Sequence, residues 1–582
     1  MYAKRVITRR GDKRYAYLKL VESYRDQGRV RQRLVANLGR EDALKASGQL
    51  EQLAAAFARL DPPMLGIRRD VGPLLLVRHY VQRLGLTEII ERARPGRGRA
   101  QLTTSEVVVA MIANRLCAPS PLYDIAGWAS SAALAEVFGI PAMLLNDDRL
   151  GRALEAFAPQ AEAIRGAVAL AAIERFGVEA GRLHLDLTAL KVCGAHEHSS
   201  LVARGWNADR RVQRQVQVLE ATTASGVPLY VRPHPGDAAE LTCIGAALER
   251  LAGLLPKDLV ICADSALGHL KNLCAADRAQ LGFVVPLREA SGFQARYRAE
   301  VGPQALKPLA YVSRREGRLP PTQRTRYRGC LRSFAAADPE TKQRHEFRVA
   351  YIWSSEEARS VAEARGRALG AAETALAKVQ RGLGGSHYQT TQQVADRVST
   401  ILGPAVKGWL TVTAGTANKR PTLTVARNQA AIAQAAELDG LYALATNLPG
   451  PLTATRLLRL YKEQSLVELR HRDLKGPLRV RPIFLHNDDR IQALISIVGL
   501  ALLMFGLIEL DLRRALGPDD ELQGLLPEGR AARPTGRNIL AAFQGLGLSY
   551  TRDGIIMDRL TRTQRRILQL LKVPVPWPER EA

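Results

Sequence analysis

Two aspartates in the chain sit where a sheet would carry chemistry. Asp186 interrupts the alternating run LHLDLTAL at 183–190, and Asp264 ends the continuous apolar run LVICA at 259–263. A carboxylate inside an apolar strand is costly to bury unless it is paired or holds a metal. The position just past the carboxyl end of a strand is where open sheets place functional groups. One such aspartate is ordinary. Two, on strands that would be neighbours, point to a shared divalent-cation site, because Mg²⁺ takes a few carboxylates and completes its shell with substrate phosphate. A third acid comes from LYKEQSLVELRHRDLK. On one continuous helix, Tyr461, Gln464, Glu468 and Lys475 fall within about 60° of one another. They adjoin an apolar seam of Leu460, Val467 and Leu474 at heptad spacing.

Strands and helices must hold these acids in place. The run at 183–190 is followed by strand-like VQRQVQVLEA (212–221) and PLYVR (228–232), a helical stretch at 240–255, LVICA, a helix at 267–277 and the strand GFVVPL (282–287). Three strands followed by strand–helix alternation predict an α/β fold, a mixed sheet with helices packed on it. Upstream, residues 1–45 read as a basic β-hairpin unit. Tyr15, Tyr17 and 18–21 form one strand, Gly11-Asp12 and Gln27-Gly28 are turns, and 29–38 is a returning strand. Residues 1–40 carry twelve Lys/Arg against three Asp/Glu, a face suited to DNA as well as to solvent. Residues 46–180 are helical in pattern, with a capping box at Thr103-x-x-Glu106 and an N-cap at Asn146. Short helices in that setting are compatible with a DNA-binding region. Residues 290–450 change character. Arginines surround Tyr311 and Tyr327, then come strand-like FRVAYIW, a helix at 355–380 and strand-like stretches at 408–413 and 422–425. This reads as a β-rich insertion, and roughly 200 positions between Asp264 and Glu468 leave room for one. Helix returns over 451–515, and 516–582 reads as a tail of short helices.

Composition narrows the partner. The chain has 582 residues, is 46% apolar and carries a net charge of +26. The apolar content excludes wholesale disorder. Six cysteines without a CxxC pair exclude a disulfide scaffold and the usual zinc ribbons, and fit a reducing cytosol. The charge points to a polyanion, most simply nucleic acid. No secretory leader is read at the start, and a cytoplasmic protein is expected. The uncharged run at 491–508 has the length of a membrane span. Gln492 and Ser496 interrupt it and Glu509 and Asp511 close it, so it reads as a buried core helix with no membrane partner. His196-x-His198, with His184 nearby, lacks a third ligand at metal spacing and reads as solvated loop. Cys193, Cys262 and Cys274 read as small buried apolar residues. The charges over 356–381 read as a solvated helix face.

Tyr461-x2-Gln464-x3-Glu468-x6-Lys475 is similar to the Y-x2-R-x3-E-x6-K signature of DDE transposases from bacterial insertion sequences. Asp186 and Asp264 precede it in the expected order. The N-terminal stretch ending VANLGR, NRLCAPSPLYDIAGW (114–128), LNDDRLGRAL (145–154), LDGLYALATNLPG (438–450) and LKGPLRVRPIF (474–484) also resemble that family's longer members. The resemblance implies an RNase H-like catalytic domain built from 181–289 and 451–515, with the insertion at 290–450 between its parts. It implies that Asp186, Asp264 and Glu468 hold two divalent ions, Mg²⁺ or Mn²⁺, for in-line attack on phosphodiesters. Strand cleavage at transposon ends and strand transfer into target DNA would follow, with no covalent protein–DNA intermediate. Lys475 and Tyr461 would hold DNA phosphate, with Gln464 at the family's arginine position and Arg479 and Arg481 extending the track. Trp353 and Trp409 are candidates for stacking a flipped base, against the ordinary role of a strand tryptophan as core. The implied partner is double-stranded DNA, bound by a homodimer or larger assembly at the nucleoid. The alternatives are a catalytically inactive, transposase-derived DNA-binding protein, which Gln464 would suit, a metal-dependent nuclease without strand transfer and, more distantly, a membrane-bound basic protein.

Overall fold

A computed structural model describes residues 2–10, 13–26, 29–47, 67–94, 100–206, 211–238, 243–244, 247, 259–263, 267–313, 316–404, 406–463, 465–480, 483–517, 520–551 and 554–580. The basic N-terminus forms three antiparallel strands rather than a two-stranded hairpin: β1 (Tyr2–Arg10), β2 (Lys13–Asp26) and β3 (Arg29–Arg40), in that order. The turn residues between them lie outside the described residues, as does nearly all of the helix expected at 240–255. A short strand, β4 (Arg68–Asp70), leads into a helical layer. There Thr103 accepts from the backbone N–H of Glu106, whose side chain reciprocates, and Asn146 accepts from that of Arg149. These caps satisfy helix-end donors that would otherwise be left without partners.

The strand–helix alternation becomes β5 (Arg182–Lys191), β6 (Ala203–Trp206), β7 (Val212–Thr223), β8 (Pro228–His234), β9 (Val260–Ala263) and β10 (Gly282–Pro286). β5 pairs antiparallel with β7 and parallel with β9, and β9 pairs parallel with β10. The segment expected as a separate insertion divides in two. β11 (Lys307–Pro308), β12 (Tyr327–Ala337), β13 (Arg344–Ser354) and, further along, a strand at Leu441–Thr446 extend the same sheet. Among the described residues of this segment only β14 (Leu410–Ala417) and β15 (Arg420–Arg427) form a hairpin of their own. They pack with helices Ser355–Arg381 and Thr391–Ile401 around Leu376, Val379, Val394 and Leu410. The Leu441–Thr446 strand, β16, pairs on one side with β10 and on the other with β13, which makes the sheet continuous. Among the described residues the sheet has ten strands, in the order β11-β12-β13-β16-β10-β9-β5-β7-β6, with β8 also on β7.

The apolar helix Asp488–Leu516 runs through the middle of the molecule. Its side chains from Ile495 to Glu509 are all buried, and it touches β8 and helices Thr104–Cys117, Asp147–Phe157 and Ala161–Phe176. It is long and apolar enough to cross a membrane, yet 94% of its most apolar stretch is buried within the protein. Asn487 caps it and Asp488 and Asp489 occupy its first turn, next to the positive end of the helix dipole. The C-terminal segment is not purely helical. β17 (Gly547–Thr551) and β18 (Gly554–Met557) form a hairpin, and β17 pairs with β4.

Candidate active site

The neighbours of Asp186 follow from the two strands beside β5. On the β9 side, Leu185 is the register partner of Ala263. Asp264 is the next residue of that chain and lies outside the described residues. On the β7 side, Asp186 stands across from Glu220, which is fully buried. Asp186 itself is half-buried. Its Oδ1 accepts the Leu187 N–H at 2.8 Å, and its Oδ2 lies 3.2 Å from His471 Nδ1. The other ring nitrogen of His471 is 3.5 Å from Glu220 Oε2. The imidazole thus spans two acids of adjacent strands.

His471 is carried by the helix Ser465–Lys475. The expected single helix through Tyr461 and Lys475 is in fact two, Ala454–Lys462 and Ser465–Lys475, so the 60° stripe does not run unbroken from Tyr461. Near the junction Glu463 pairs with Arg182 at the start of β5. The second helix is seated by Val467 and Leu474, both fully buried, and by Arg470, which is 1% exposed. Arg470 donates to the Gly226 carbonyl at 2.6 Å, to Asp473 at 3.0 Å and to Glu509 at 3.1 Å. These contacts fix the helix face. Glu468, one turn before His471 and about 60° round from it, is exposed and has no ion-pair partner among the described residues.

Burial shapes the electrostatics. Glu220 is pushed up from the usual carboxylate range by desolvation, which outweighs His471 and a 2.6 Å hydrogen bond donated by Thr222. Burial pulls His471 down, but the charges of Glu220 and Asp186 win and raise it overall. Neither His471 nor Glu220 stood out in the sequence. The signal for His471 is its place three residues after Glu468. For Glu220 it is a charge set directly between apolar Leu219 and Ala221 within a strand.

The other sequence candidates separate. Tyr461 and Trp409 line one cleft of about 810 Å³, together with Tyr442, Lys462, Arg298 and Arg365. Arg365 forms a two-pronged pair with Asp439 and lies 5.9 Å over the Trp409 ring. Trp353 is half-buried on β13, across from Arg328 and Leu441, and packs on the main core. Lys475 is half-buried near His471. Arg479 lines a different cavity of about 410 Å³, beside Arg115 and Phe484, in a left-handed backbone conformation (φ 44°). Gln464 and Arg481 lie outside the described residues.

Residues 180–504, more than half of the chain, match the transposase DDE domain. The chain belongs to the DDE transposases. Residues 3–63 match the N-terminal domain of IS1634 family transposases, so this is a transposase of an insertion sequence and an enzyme that acts on DNA. Residues 68–164 match a domain family of unknown function. No curated protein matches the transposase.

Proposed function

We propose that this transposase cleaves DNA at the ends of its element and joins them to target DNA, with Asp186, Asp264 and Glu468 holding two Mg²⁺ or Mn²⁺ ions. The observation that carries the reading is the contact of His471 with Asp186, which lays the helix bearing Glu468 on the strand bearing Asp186. The strand order β8-β7-β5-β9-β10, antiparallel through β5 and parallel beyond it, supports an RNase H-like core. The donor set fits the ions. All three acids offer hard oxygens, which suit Mg²⁺ and Mn²⁺, and the Glu468 carboxylate is not committed to a cation among the described residues.

When bound, the ions polarise the scissile phosphodiester and lower the pKa of the attacking water or 3′-hydroxyl. The chain's own residues orient the reactants. His471 keeps one Asp186 oxygen turned toward the helix, and Lys475 sits close enough to hold a DNA phosphate. Tyr461 and Trp409 line a cleft whose arginines and lysine suit the DNA end, and Trp409 rather than Trp353 is the tryptophan in that cleft for stacking on a base. DNA binding as a homodimer or larger assembly, in the cytoplasm at the nucleoid, belongs to the same reading.

The test is cleavage and joining of labelled end DNA with Mg²⁺ or Mn²⁺. Asp186→Asn is expected to lose both steps and keep DNA binding. Cleavage that persists in this variant overturns the metal assignment. Wild-type cleavage without joining favours a nuclease, and wild-type binding without cleavage favours an inactive DNA-binding descendant.

A further inference from the structure

We propose that Cys274, Asp338 and His345 form a zinc site that fastens the helix after β9 to the β12–β13 hairpin. The three side chains come from three segments. Cys274 lies on the helix Leu270–Arg278, Asp338 follows β12 directly and His345 is the second residue of β13. One ligand atom from each lies within 4.8 Å of the other two. Cys274 and Asp338 are fully buried and His345 is 5% exposed. A tetrahedral zinc with bonds of about 2.0–2.3 Å spaces its ligand atoms roughly 3.3–3.8 Å apart. Small inward rotations therefore complete the set.

The histidine is prepared for such a role. Its Nδ1 lies 2.7 Å from Asp277 Oδ2, and Asp277 is in turn held by the Asn447 side-chain amide at 2.9 Å. A carboxylate on one ring nitrogen fixes the tautomer and raises the basicity of the other, the arrangement that orients zinc-ligating histidines. That other nitrogen, Nε2, is buried without a hydrogen-bond partner. An orphaned nitrogen in a buried site is destabilising unless something fills the place. A hydrogen-bonded packing cluster leaves it empty, whereas a metal takes its lone pair.

Asp338 retains capacity for a metal. Arg278 pairs with its Oδ2, and the Glu340 and Thr341 N–H groups donate to Oδ1 at 2.8 and 3.4 Å. A carboxylate offers about four lone-pair sites, so one remains. Thiolate plus imidazole selects zinc over magnesium, which separates this site chemically from the all-oxygen acids of the catalytic face. The three ligands lie 64 and 7 positions apart along the chain, far from the spacing of ribbons or fingers. The cluster therefore does not show in a reading of cysteine motifs.

The test uses the full-length chain purified from zinc-supplemented medium. Zinc at one ion per chain is expected by elemental analysis, and Co²⁺ exchanged into the chelator-treated protein should give a near-ultraviolet thiolate-to-cobalt band. Only a cysteine ligand gives that band, so cobalt at the catalytic acids does not imitate it. Cys274→Ala and His345→Gln should lose the bound zinc, with Cys330→Ala as the cysteine control that keeps it. Asp277→Asn, which removes no ligand, should weaken zinc binding about 10–100-fold. If Cys274→Ala fails to fold, the wild-type metal content and the Asp277→Asn affinity decide. Wild-type protein with no stoichiometric zinc and no cobalt band, or a band that survives in Cys274→Ala, overturns the proposal.

Discussion

Arg470 shows how a single side chain seats the signature helix. Its guanidinium is 1% exposed, with Asp473 and Glu509 as charged partners and the Gly226 carbonyl as a neutral one. Glu509 is held low: burial pushes it up, but the charges of Arg470 and Arg513 prevail. Truncating Arg470→Ala leaves buried Asp473 without its paired cation and Glu509 with Arg513 alone, and breaking a buried pair in this way costs about 3–5 kcal/mol. Urea unfolding should report that loss. Arg470→Lys should recover little of it, because one ammonium cannot reproduce a fork that reaches a carbonyl and two carboxylates. The candidate acids were visible in the sequence because each breaks a local pattern: Asp186 interrupts an apolar strand, Asp264 ends an apolar run, and Glu468 adjoins a heptad seam. Arg470 and His471 were not. Nothing local in ELRHRDLK marks them, and the partners that bury them lie 39 and 244 positions away for Arg470 and on β5 and β7 for His471.

The elements repeat the same division. Capping chemistry and periodicity are local, so the caps at Thr103 and Asn146, the apolar core helix and the strands β5, β7, β8, β9 and β10 could be read ahead of the structure. Strand partners are not local. Nothing within 290–450 says that β16 will enter between β10 and β13, and nothing in the tail says that Leu548 will pair with Arg69. The break at Glu463 is also tertiary, coinciding with the ion pair to Arg182 at the start of β5. The core helix has a feature that its hydropathy does not explain, two glycines facing strand β8 and the turn before it. A Cβ added at Gly499 would meet Val231 at 2.9 Å, and one at Gly506 would meet the Gly226 carbonyl and Pro228 at 3.1 Å. The Gly226 carbonyl is also the one that Arg470 holds. Gly506→Val should therefore overpack the contact and cost about 1–3 kcal/mol, visible as a lower urea midpoint. It should also slow DNA cleavage, because the displaced turn carries an anchor of the signature helix. A destabilised variant with unchanged cleavage per folded molecule would separate the two effects and argue against that coupling.

On the scale of the whole molecule the dominant quantity is charge, +26 over 582 residues, with the N-terminal sheet a concentrated part of it. That sheet has an inner side, where Val21 is 7% exposed, and an outer side where Arg5 and Arg9 are exposed alongside Ile7. Arg5 and Lys4 are partly committed, to Glu41 and Gln32. The pair of acids in 41–42 keeps the following helix from adding to the positive face. If the sheet lies on DNA, each phosphate it neutralises releases counterions, and the logarithm of affinity falls with the logarithm of salt concentration by about 0.9 per contact. Binding to duplex DNA should then weaken by about 10³–10⁵-fold between 50 and 200 mM salt, for a footprint of about six to ten contacts. Arg5→Gln and Arg9→Gln each remove charge from the outer side without touching the core sheet. Each should flatten that slope by roughly 1 and weaken binding evenly across DNA sequences, as phosphate contacts do. Because the acids proposed to hold the metal ions belong to other elements, with Asp186 on β5 and Glu468 on the helix Ser465–Lys475, cleavage at saturating DNA should be unchanged. A slope that stays the same in both variants would assign the charge of this sheet to solvent and move the DNA track to the arginine- and lysine-lined cleft beside Tyr461.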